Sequence, residues 1–267
     1  MNDIRIIDTH CHLDFIELKN RLDEVIKDAK INNVTDMVTI STNLSRIDAI
    51  KDISEQYPEV FFTVGVHPNE AHKDKQYNDH KFMENYSKHE KCVGIGEGGL
   101  DYYYNKENMK LQKRSLESQI NVARSTNLPM IIHSRDADDD MIEILVSEYK
   151  NGPFKAILHC FSSGDELANC GHDLDFFISF SGILTFNSAK NIQKIAKNIP
   201  LSKILVETDS PYLAPSPVRG SVNEPKNCMH TAQFLSKLRD INFLELSKIL
   251  YDNSLTVYDK IKVWKDK

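Results

Sequence analysis

The stretch IRIIDTHCHLD, residues 4–14, shows in a few positions how this chain is built. It begins with a short β-branched run, which is typical of a buried strand, and it ends with two histidines separated by one residue. Residues two apart in a strand project from the same face, so Asp8, His10 and His12 are predicted to point together beyond the strand end. Cys11 is predicted to point away from them.

Runs of the same kind recur along the chain, and longer stretches with helical periodicity separate them. The eight runs cover residues 4–10, 34–42, 60–66, 92–99, 129–134, 155–161, 176–182 and 203–209. Between the first two runs, Leu22, Val25 and Ile26 follow the spacing of one helix face. A regular alternation of strand and helix predicts βα units and a parallel sheet.

Eight such units favour an α/β fold closed into a barrel, and 267 residues is close to the usual length of a (β/α)8 TIM barrel. The alternative is an open doubly wound sheet, but no GxGxxG turn follows the first run and no P-loop motif occurs. We therefore expect one barrel domain over residues 1–267. The tail, residues 227–260, is expected to add two amphipathic helices to the outer ring.

The composition is that of a globular protein, with 40% hydrophobic and 27% charged residues. A net charge of −6 gives no overall positive field for nucleic acid, so a phosphate substrate would need local positive charge. No run of eighteen apolar residues and no signal-peptide pattern occurs, which predicts a cytoplasmic protein without a membrane. The five cysteines include no CxxC pair and are expected to be reduced.

Polar residues stand at the ends of most of the eight runs, which is where (β/α)8 barrels carry their active sites. These residues are His10, His12, His67, Glu97, His133, His159 and Asp209. A single histidine at a strand end is usually a packed or surface residue, but their joint occurrence on one rim favours a metal centre. Imidazole and carboxylate groups suit zinc, manganese and similar ions, and four imidazoles with two carboxylates are enough for two.

Four acidic residues near these strand ends have different expected roles. Glu97 lies among four glycines, which leave its carboxylate uncrowded and suited to bridging. Asp209 follows an apolar run, where a buried acid is costly unless it is paired, so it is expected to be a metal ligand or a general base. Asp101 is either a support for the site or a turn former. Glu207 lies one layer deeper and is expected to support the site.

The segment after the fifth run predicts a phosphate contact. Arg135 follows His133 by two residues and should face the same mouth, where its guanidinium can hold a phosphate through two hydrogen bonds. The alternative for Arg135 is a salt bridge to Asp136 or Asp138. The acids at 138–140 are expected to begin a helix, because they complement its dipole. The tyrosines at 102–104 are equally suited to stacking on bases and to packing.

At this point the strand ends resemble the TatD family of metal-dependent deoxyribonucleases, within the larger group of metal-dependent hydrolase barrels. The resemblance extends over nearly the whole chain. Its blocks are DTHCHLD (8–14), VGVHPNEA (64–71), GEGGLDYYY (96–104), IIHSRDA (131–137), LHCFSS (158–163), ISFSGILTF (178–186), ETDSPYLAP (207–215) and RGSVNEP (219–225).

The resemblance implies two divalent metal ions, Mg²⁺, Mn²⁺ or Zn²⁺. The implied ligands are His10, His12, Glu97 and Asp209 for one ion and Glu97, His133 and His159 for the other. Glu97 would be the bridge, and Asp209 would orient or deprotonate the attacking water, which makes these two the implied catalytic residues. His67 and Arg135 would contact phosphate. The implied substrate is DNA, cleaved at its phosphodiester bonds and often from the 3′ end, with no protein partner required.

Two residues depart from the family pattern. Gly98 follows Glu97 where a larger aliphatic residue is usual, and Ser163 stands where glycine is common. Neither is an implied ligand. Gly98 is expected to loosen the loop that carries Glu97.

Three other functions compete with DNA hydrolysis. The same barrel supports hydrolysis of amides, lactones or phosphotriesters, but some of those enzymes bridge their metals with a modified lysine, and the fourth and fifth runs contain none. A metal-binding scaffold without catalysis would be expected to lack part of the ligand set. A nucleic-acid-binding module is disfavoured, because the sequence shows neither a basic stripe nor an aromatic stacking platform.

Overall fold

The computed structural model describes residues 4–73 and 79–267, and within these ranges eight parallel strands form one sheet in chain order. The strands are β1 Ile6–Cys11, β2 Val34–Thr39, β3 Val60–Val64, β4 Cys92–Asp101, β5 Met130–Arg135, β6 Ala156–Leu158, β7 Phe177–Phe180 and β8 Ile204–Val206. Each lies within or close to one of the eight predicted runs. The predicted strand order and parallel pairing are confirmed.

Helices follow every strand. They are α1 Ile16–Lys19, α2 Leu22–Ile31, α3 Ile47–Gln56, α4 His80–Ser87, α5 Met109–Thr126, α6 Asp138–Asn151, α7 Asp165–Asp173, α8 Lys190–Asn198, α9 Cys228–Arg239, α10 Phe243–Val257 and α11 Asp259–Lys265. On α2, Val25, Ile26 and Ala29 are buried as the periodicity predicts. Each fully buried aliphatic side chain of this kind contributes about 1.5–3 kcal/mol to folding.

The sheet closes where the carboxyl ends of β1 and β8 meet. Cys11 and Ser210 form a parallel bridge, the backbone N–H of Asp209 donates to the His10 carbonyl at 2.9 Å, and that of His12 donates to the Ser210 carbonyl at 2.8 Å. The fold is therefore the predicted barrel and not an open sheet. Closure also places the first and last predicted ligand segments side by side.

The end of the chain differs from the prediction of two outer helices. Helices α9 and α10 do pack on the outside against β1 and β8, but a third helix, α11, follows. Tyr258 donates its hydroxyl to the Thr9 carbonyl at 3.1 Å, and Ile261 is fully buried in the cluster inside the barrel. Two turns of helix give too short a periodic signal to be recognised, so only tertiary packing reveals that this segment closes the amino end of the barrel.

All five cysteines are free, and four of them are buried. Within residues 4–73 and 79–267, no helix has the length and apolarity needed to cross a bilayer.

Candidate metal centre

A bulge in β1 sets the direction of its histidines. Asp8 pairs with Met37 of β2 and Cys11 pairs with Thr39, so β1 has one more residue than β2 between these two pairs. This extra residue interrupts the regular alternation of faces. The prediction that Asp8 shares a face with the two histidines is therefore wrong. Its carboxylate instead accepts hydrogen bonds from the backbone N–H of Thr208 at 2.9 Å and from the Thr208 hydroxyl at 2.5 Å.

A second bulge carries Glu97. On β4 the register with β5 shifts between Ile95 and Gly98, and Glu97 lies inside the shifted segment. Gly99 has φ +153°, and a Cβ there would lie 1.9 Å from the His133 carbonyl oxygen, so this position requires glycine. The close approach brings the bridging candidate and the β5 ligand candidate to adjacent positions.

Gly98, the departure beside Glu97, is closely packed by neighbouring side chains. A Cβ on Gly98 would lie 2.6 Å from Gln119 Nε2 and 2.7 Å from the Met130 methyl group. Gln119 is fully buried and bonds both backbone groups of Val66, accepting from its N–H at 3.0 Å and donating to its carbonyl at 2.9 Å. The glutamine side chain fills the space that a larger residue at position 98 would occupy.

Glu97 lies at the centre of the cluster, and its two carboxylate oxygens face different histidines. Oε2 is 3.3 Å from His10 Nε2. Oε1 is 2.7 Å from His159 Nε2 and 3.0 Å from His133 Nδ1. One carboxylate thus contacts both predicted ligand groups.

The remaining contacts define two sites. Asp209, in the left-handed conformation with φ +56°, places Oδ1 3.3 Å from His12 Nε2 and 3.6 Å from His10 Nε2. We call His10, His12 and Asp209, with Glu97 Oε2, site A. Site B comprises His133 and His159, whose facing nitrogens are 3.4 Å apart, with Glu97 Oε1.

Unpaired buried nitrogens indicate that the cluster suits a cation. Among the described residues, His10 Nδ1 and Nε2 and His12 Nδ1 have no hydrogen-bond partner, although His10 is fully buried. A buried polar group left unpaired costs about 1–3 kcal/mol. The ligand atoms of His10, His12 and Asp209 lie within 4.8 Å of one another, as do those of His10, Glu97 and His159. Imidazole nitrogens and carboxylate oxygens at this spacing fit a divalent metal ion.

The carboxylates of the centre are held in their charged form. Burial by itself would raise the pKa of Glu97, but the imidazoles of His159, His67 and His10 outweigh it and hold that pKa well below its usual range. Burial likewise opposes ionisation of Asp209, while the hydrogen bond from His12 and the charge of His10 lower its pKa. Ionised carboxylates are the form that binds cations.

His67 lies within reach of site B, but one of its ring nitrogens is already paired. Its ligand atom groups with those of Glu97 and His133, and its Nε2 is 3.5 Å from Glu97 Oε1. However, His67 Nδ1 accepts the backbone N–H of Asn69 at 3.1 Å, and burial lowers the His67 pKa to about 4. The neutral ring therefore carries its proton on Nε2, which makes it a hydrogen-bond donor toward the cavity.

Asp101 has both of the roles considered for it. Its carboxylate accepts the backbone N–H groups of Tyr103 at 3.1 Å and Tyr104 at 2.9 Å, as in a turn. It also accepts the Asn69 amide at 3.1 Å and places Oδ2 3.4 Å from His133 Nε2. Burial opposes ionisation, but His133 and the Tyr104 N–H lower the Asp101 pKa to about 2.

Arg135 is fixed by aromatic rings. Its guanidinium lies 4.1 Å from the Tyr103 ring centre and 4.6 Å from that of Tyr104. Asp138 begins α6 as predicted and accepts the Gly164 N–H at 3.0 Å. The third tyrosine, Tyr102, is different, because its hydroxyl donates to an acid of α6 and it packs against the core.

A cavity of about 950 Å³ opens above the two sites, and sequence reasoning missed part of its rim. Besides Arg135 and Tyr104, it is lined by Phe15, Arg46 and Tyr212. Arg46 lies 5.5 Å from the Phe15 ring centre and pairs with a buried acid at 2.7 Å. Aromatic rings from separate parts of the chain thus line the mouth, although the sequence shows no aromatic stacking platform. These residues come from separate loops, so no local pattern reveals that they meet.

The family model described as TatD related DNase matches residues 7–259. The chain belongs to this family. It is 35% identical over 253 residues to YabD of Bacillus subtilis (strain 168), covering 95% of this chain and 98% of that protein. It is 36% identical over 251 residues to YcfH of Escherichia coli (strain K12), covering 93% of each. Both relatives are described as uncharacterized metal-dependent hydrolases.

Among solved structures, the TatD homologue YJJV of Escherichia coli K12 superimposes with a TM-score of 0.89. The match covers 96% of this chain and 98% of YJJV at 24% identity, and it supports the barrel fold. Membership of the TatD family makes the chain a metal-dependent hydrolase.

Proposed function

We propose that this chain hydrolyses phosphodiester bonds of DNA as a 3′–5′ exodeoxyribonuclease and uses two divalent ions, held at sites A and B. The position of Glu97 carries the two-ion part, because its two oxygens face the nitrogens of both sites at 2.7–3.3 Å. The DNA substrate is supported by the family and by the chemistry of the mouth. The direction of cleavage rests on the family resemblance.

Each polar group of the mouth has a defined part in this reaction. Bound divalent ions would supply positive charge at the phosphate and lower the pKa of an attacking water. The Asp209 side chain is 16% exposed and ionised, so it accepts a proton from that water. His67 donates its Nε2 hydrogen to a phosphate oxygen. Arg135, whose guanidinium lies against the rings of Tyr103 and Tyr104, presents its guanidinium edge to a second oxygen.

The rim supplies what an acidic chain needs to bind DNA. Arg135 brings positive charge to the cavity although the net charge is −6, while the charge of Arg46 is already paired with Asp14. Tyr104 and Tyr212 are 68% and 52% exposed, and with Phe15 they offer ring faces on which unpaired bases stack. This arrangement favours single-stranded DNA over a compact small ester.

The test is a cleavage assay with metal-free protein. Single-stranded DNA labelled at the 3′ or 5′ end is incubated with Mg²⁺, Mn²⁺ or Zn²⁺, beside Glu97→Ala. We expect metal-dependent loss of nucleotides from the 3′ end that is absent in Glu97→Ala. The matched control is Asp36→Asn, which alters a buried carboxylate that pairs with Lys265 at the amino end of the barrel and contacts none of the proposed ligands, and it should retain activity.

Three results would contradict the proposal. Internal cuts would contradict exonuclease action. Loss of nucleotides from the 5′ end would contradict the proposed direction of cleavage. If the protein binds divalent ions but leaves DNA intact, the nuclease function is wrong, and esters, lactones and phosphotriesters become the substrates to test.

A further inference from the structure

Sites A and B differ in what lies behind their histidines. In site B, each ring faces the centre with one nitrogen and a buried carboxylate with the other. In site A, both ring nitrogens that point away from the centre lack a hydrogen-bond partner among the described residues. The two sites therefore share Glu97 but not their supporting groups.

The His159 ring is oriented by Glu207. Its Nδ1 is hydrogen bonded to Glu207 Oε1 at 3.3 Å, while its Nε2 is 2.7 Å from Glu97 Oε1. Both nitrogens face carboxylate oxygens, which only accept; with an ion between Nε2 and Glu97, the Nε2 lone pair would face the ion and Nδ1 would carry the ring hydrogen toward Glu207. Glu207 is fully buried and His159 is 6% exposed, so water does not compete for this bond.

The His133 ring has the opposite orientation and a weaker support. Its Nδ1 faces Glu97 Oε1 at 3.0 Å, and its Nε2 is 3.4 Å from Asp101 Oδ2 without the alignment of a hydrogen bond. Asp101 itself is held by three donors, namely the N–H groups of Tyr103 and Tyr104 and the Asn69 amide. With an ion between Nδ1 and Glu97, this fixed negative charge would favour the ring hydrogen on Nε2 and the lone pair on Nδ1.

The histidines of site A have no such restraint. Within residues 4–73 and 79–267, His10 Nδ1 and His12 Nδ1 are buried without a partner, so no acid behind either ring assigns its hydrogen. A ligand that must select its tautomer and orientation on binding contributes less to affinity than one already fixed.

We propose that Glu207 and Asp101 are positioning residues that make site B the tighter of the two sites, so that site B fills first and site A exchanges its ion more readily. This inference rests on the proposed two-ion centre. Partners of this kind typically contribute about 10–100-fold to metal affinity.

The tautomers are tested first in the unmodified protein. Histidine nitrogens of ¹⁵N-labelled protein loaded with Zn²⁺ are assigned by long-range ¹H–¹⁵N correlation spectra. We expect a hydrogen on Nδ1 of His159 and on Nε2 of His133. A hydrogen on His159 Nε2 would overturn the proposal without any variant having to fold.

The order of filling is tested by titrating metal-free protein with Mn²⁺ and measuring the free ion by its electron paramagnetic resonance signal. Wild type should bind two ions with unequal affinities. Glu207→Ala should weaken the tighter step by about 10–100-fold and leave the weaker step nearly unchanged. Glu207→Gln, which keeps an oxygen acceptor for Nδ1–H, should restore most of the affinity, and Asp36→Asn, at the amino end, should change neither step.

The outcomes separate the two proposals. Binding of a single Mn²⁺ per chain would contradict the two-ion centre. Two ions with an unchanged tighter step in Glu207→Ala, or an equal loss in Glu207→Gln and Glu207→Ala, would contradict only the positioning role. A loss confined to the weaker step would reverse the order of the sites.

Discussion

The two ends of the barrel bury different kinds of side chain. At the amino end, Tyr258 and Ile261 join Phe61 in an apolar cluster inside the strands, and Lys91 donates its ammonium hydrogens to two backbone carbonyls. At the carboxyl end, imidazoles and carboxylates are buried together, and several of their atoms lack partners within the described ranges.

The difference separates stability from chemistry. Apolar burial at the amino end contributes to the free energy of folding and does not require a bound ligand. At the carboxyl end, the burial of charged and unpaired polar groups costs folding free energy, but it places these groups where a cation can bind. Changes at one end should therefore affect one property and spare the other, which can be tested in both directions.

The largest effect is expected for Glu97→Ala. Because this residue serves both sites, its loss should lower the rate of DNA cleavage by about a thousandfold or more, which corresponds to about 4 kcal/mol. Single-turnover cleavage of end-labelled DNA measures this. Far-ultraviolet circular dichroism checks that the metal-free variant remains folded. A variant that retains a tenth of the activity would show that Glu97 is not shared between two ions.

The reverse experiment is Ile261→Ala at the amino end. Ile261 is fully buried, so the cavity left by truncation should lower the free energy of unfolding by about 3 kcal/mol. Val263→Ala on the same helix is the control, because Val263 is 61% exposed and should cost less than about 0.5 kcal/mol. Both are measured by urea denaturation. If Ile261→Ala lowered cleavage by the folded protein, the two ends would not be independent.

Removal of metal should affect the carboxyl end only. With free divalent ion at a hundred times its Kd, binding stabilises the folded state by about 2.7 kcal/mol. Chelation should therefore lower Tm by about 5–10 °C in calorimetry. The same decrease is expected in Ile261→Ala, since the two effects lie at opposite ends and should add. No change of Tm on chelation would contradict a metal centre of this affinity.

A smaller effect is expected for Arg135→Lys at the rim. Lysine cannot stack on the tyrosine rings and form two parallel hydrogen bonds to a phosphate as a guanidinium does. We therefore expect KM for DNA to rise about tenfold while kcat changes little. Arg219→Lys is the matched control, because Arg219 stacks on Phe186 at 4.0 Å but does not line the cavity. Steady-state cleavage measures both. An equal rise of KM in the two variants would mean that general charge, and not the Arg135 position, binds the substrate.

Much of the fold was predictable because the signals were local. Each strand is a short apolar run, and α5 and α8 have clear amphipathic periodicity and end near the residues that precede Pro129 and Pro200. Helix α11 was missed because two turns carry almost no periodic signal. The face of Asp8 was wrong because a bulge, which depends on pairing with β2, interrupts the alternation.

Much of the site was predictable for a related reason. In a barrel all strands end on the same rim, so residues at strand ends meet whatever their separation in sequence. The structure brings the six proposed ligands together and places His67 and Arg135 at the same mouth. The rim residues Phe15, Arg46 and Tyr212 were not found, because loops of irregular structure bring them together.

Periodicity and position along each strand are local features, so the order of strands and helices, the barrel and the chemical types of the ligand candidates can be predicted from the sequence alone. The tertiary structure adds which oxygen of Glu97 faces which histidine, that His67 Nδ1 accepts the Asn69 N–H, and that Glu207 and Asp101 lie behind site B. These features depend on distances between segments far apart in the chain, where a difference of a few tenths of an ångström decides which atoms are in contact. Such distances arise from the packing of the whole barrel and leave no trace in any local stretch of sequence.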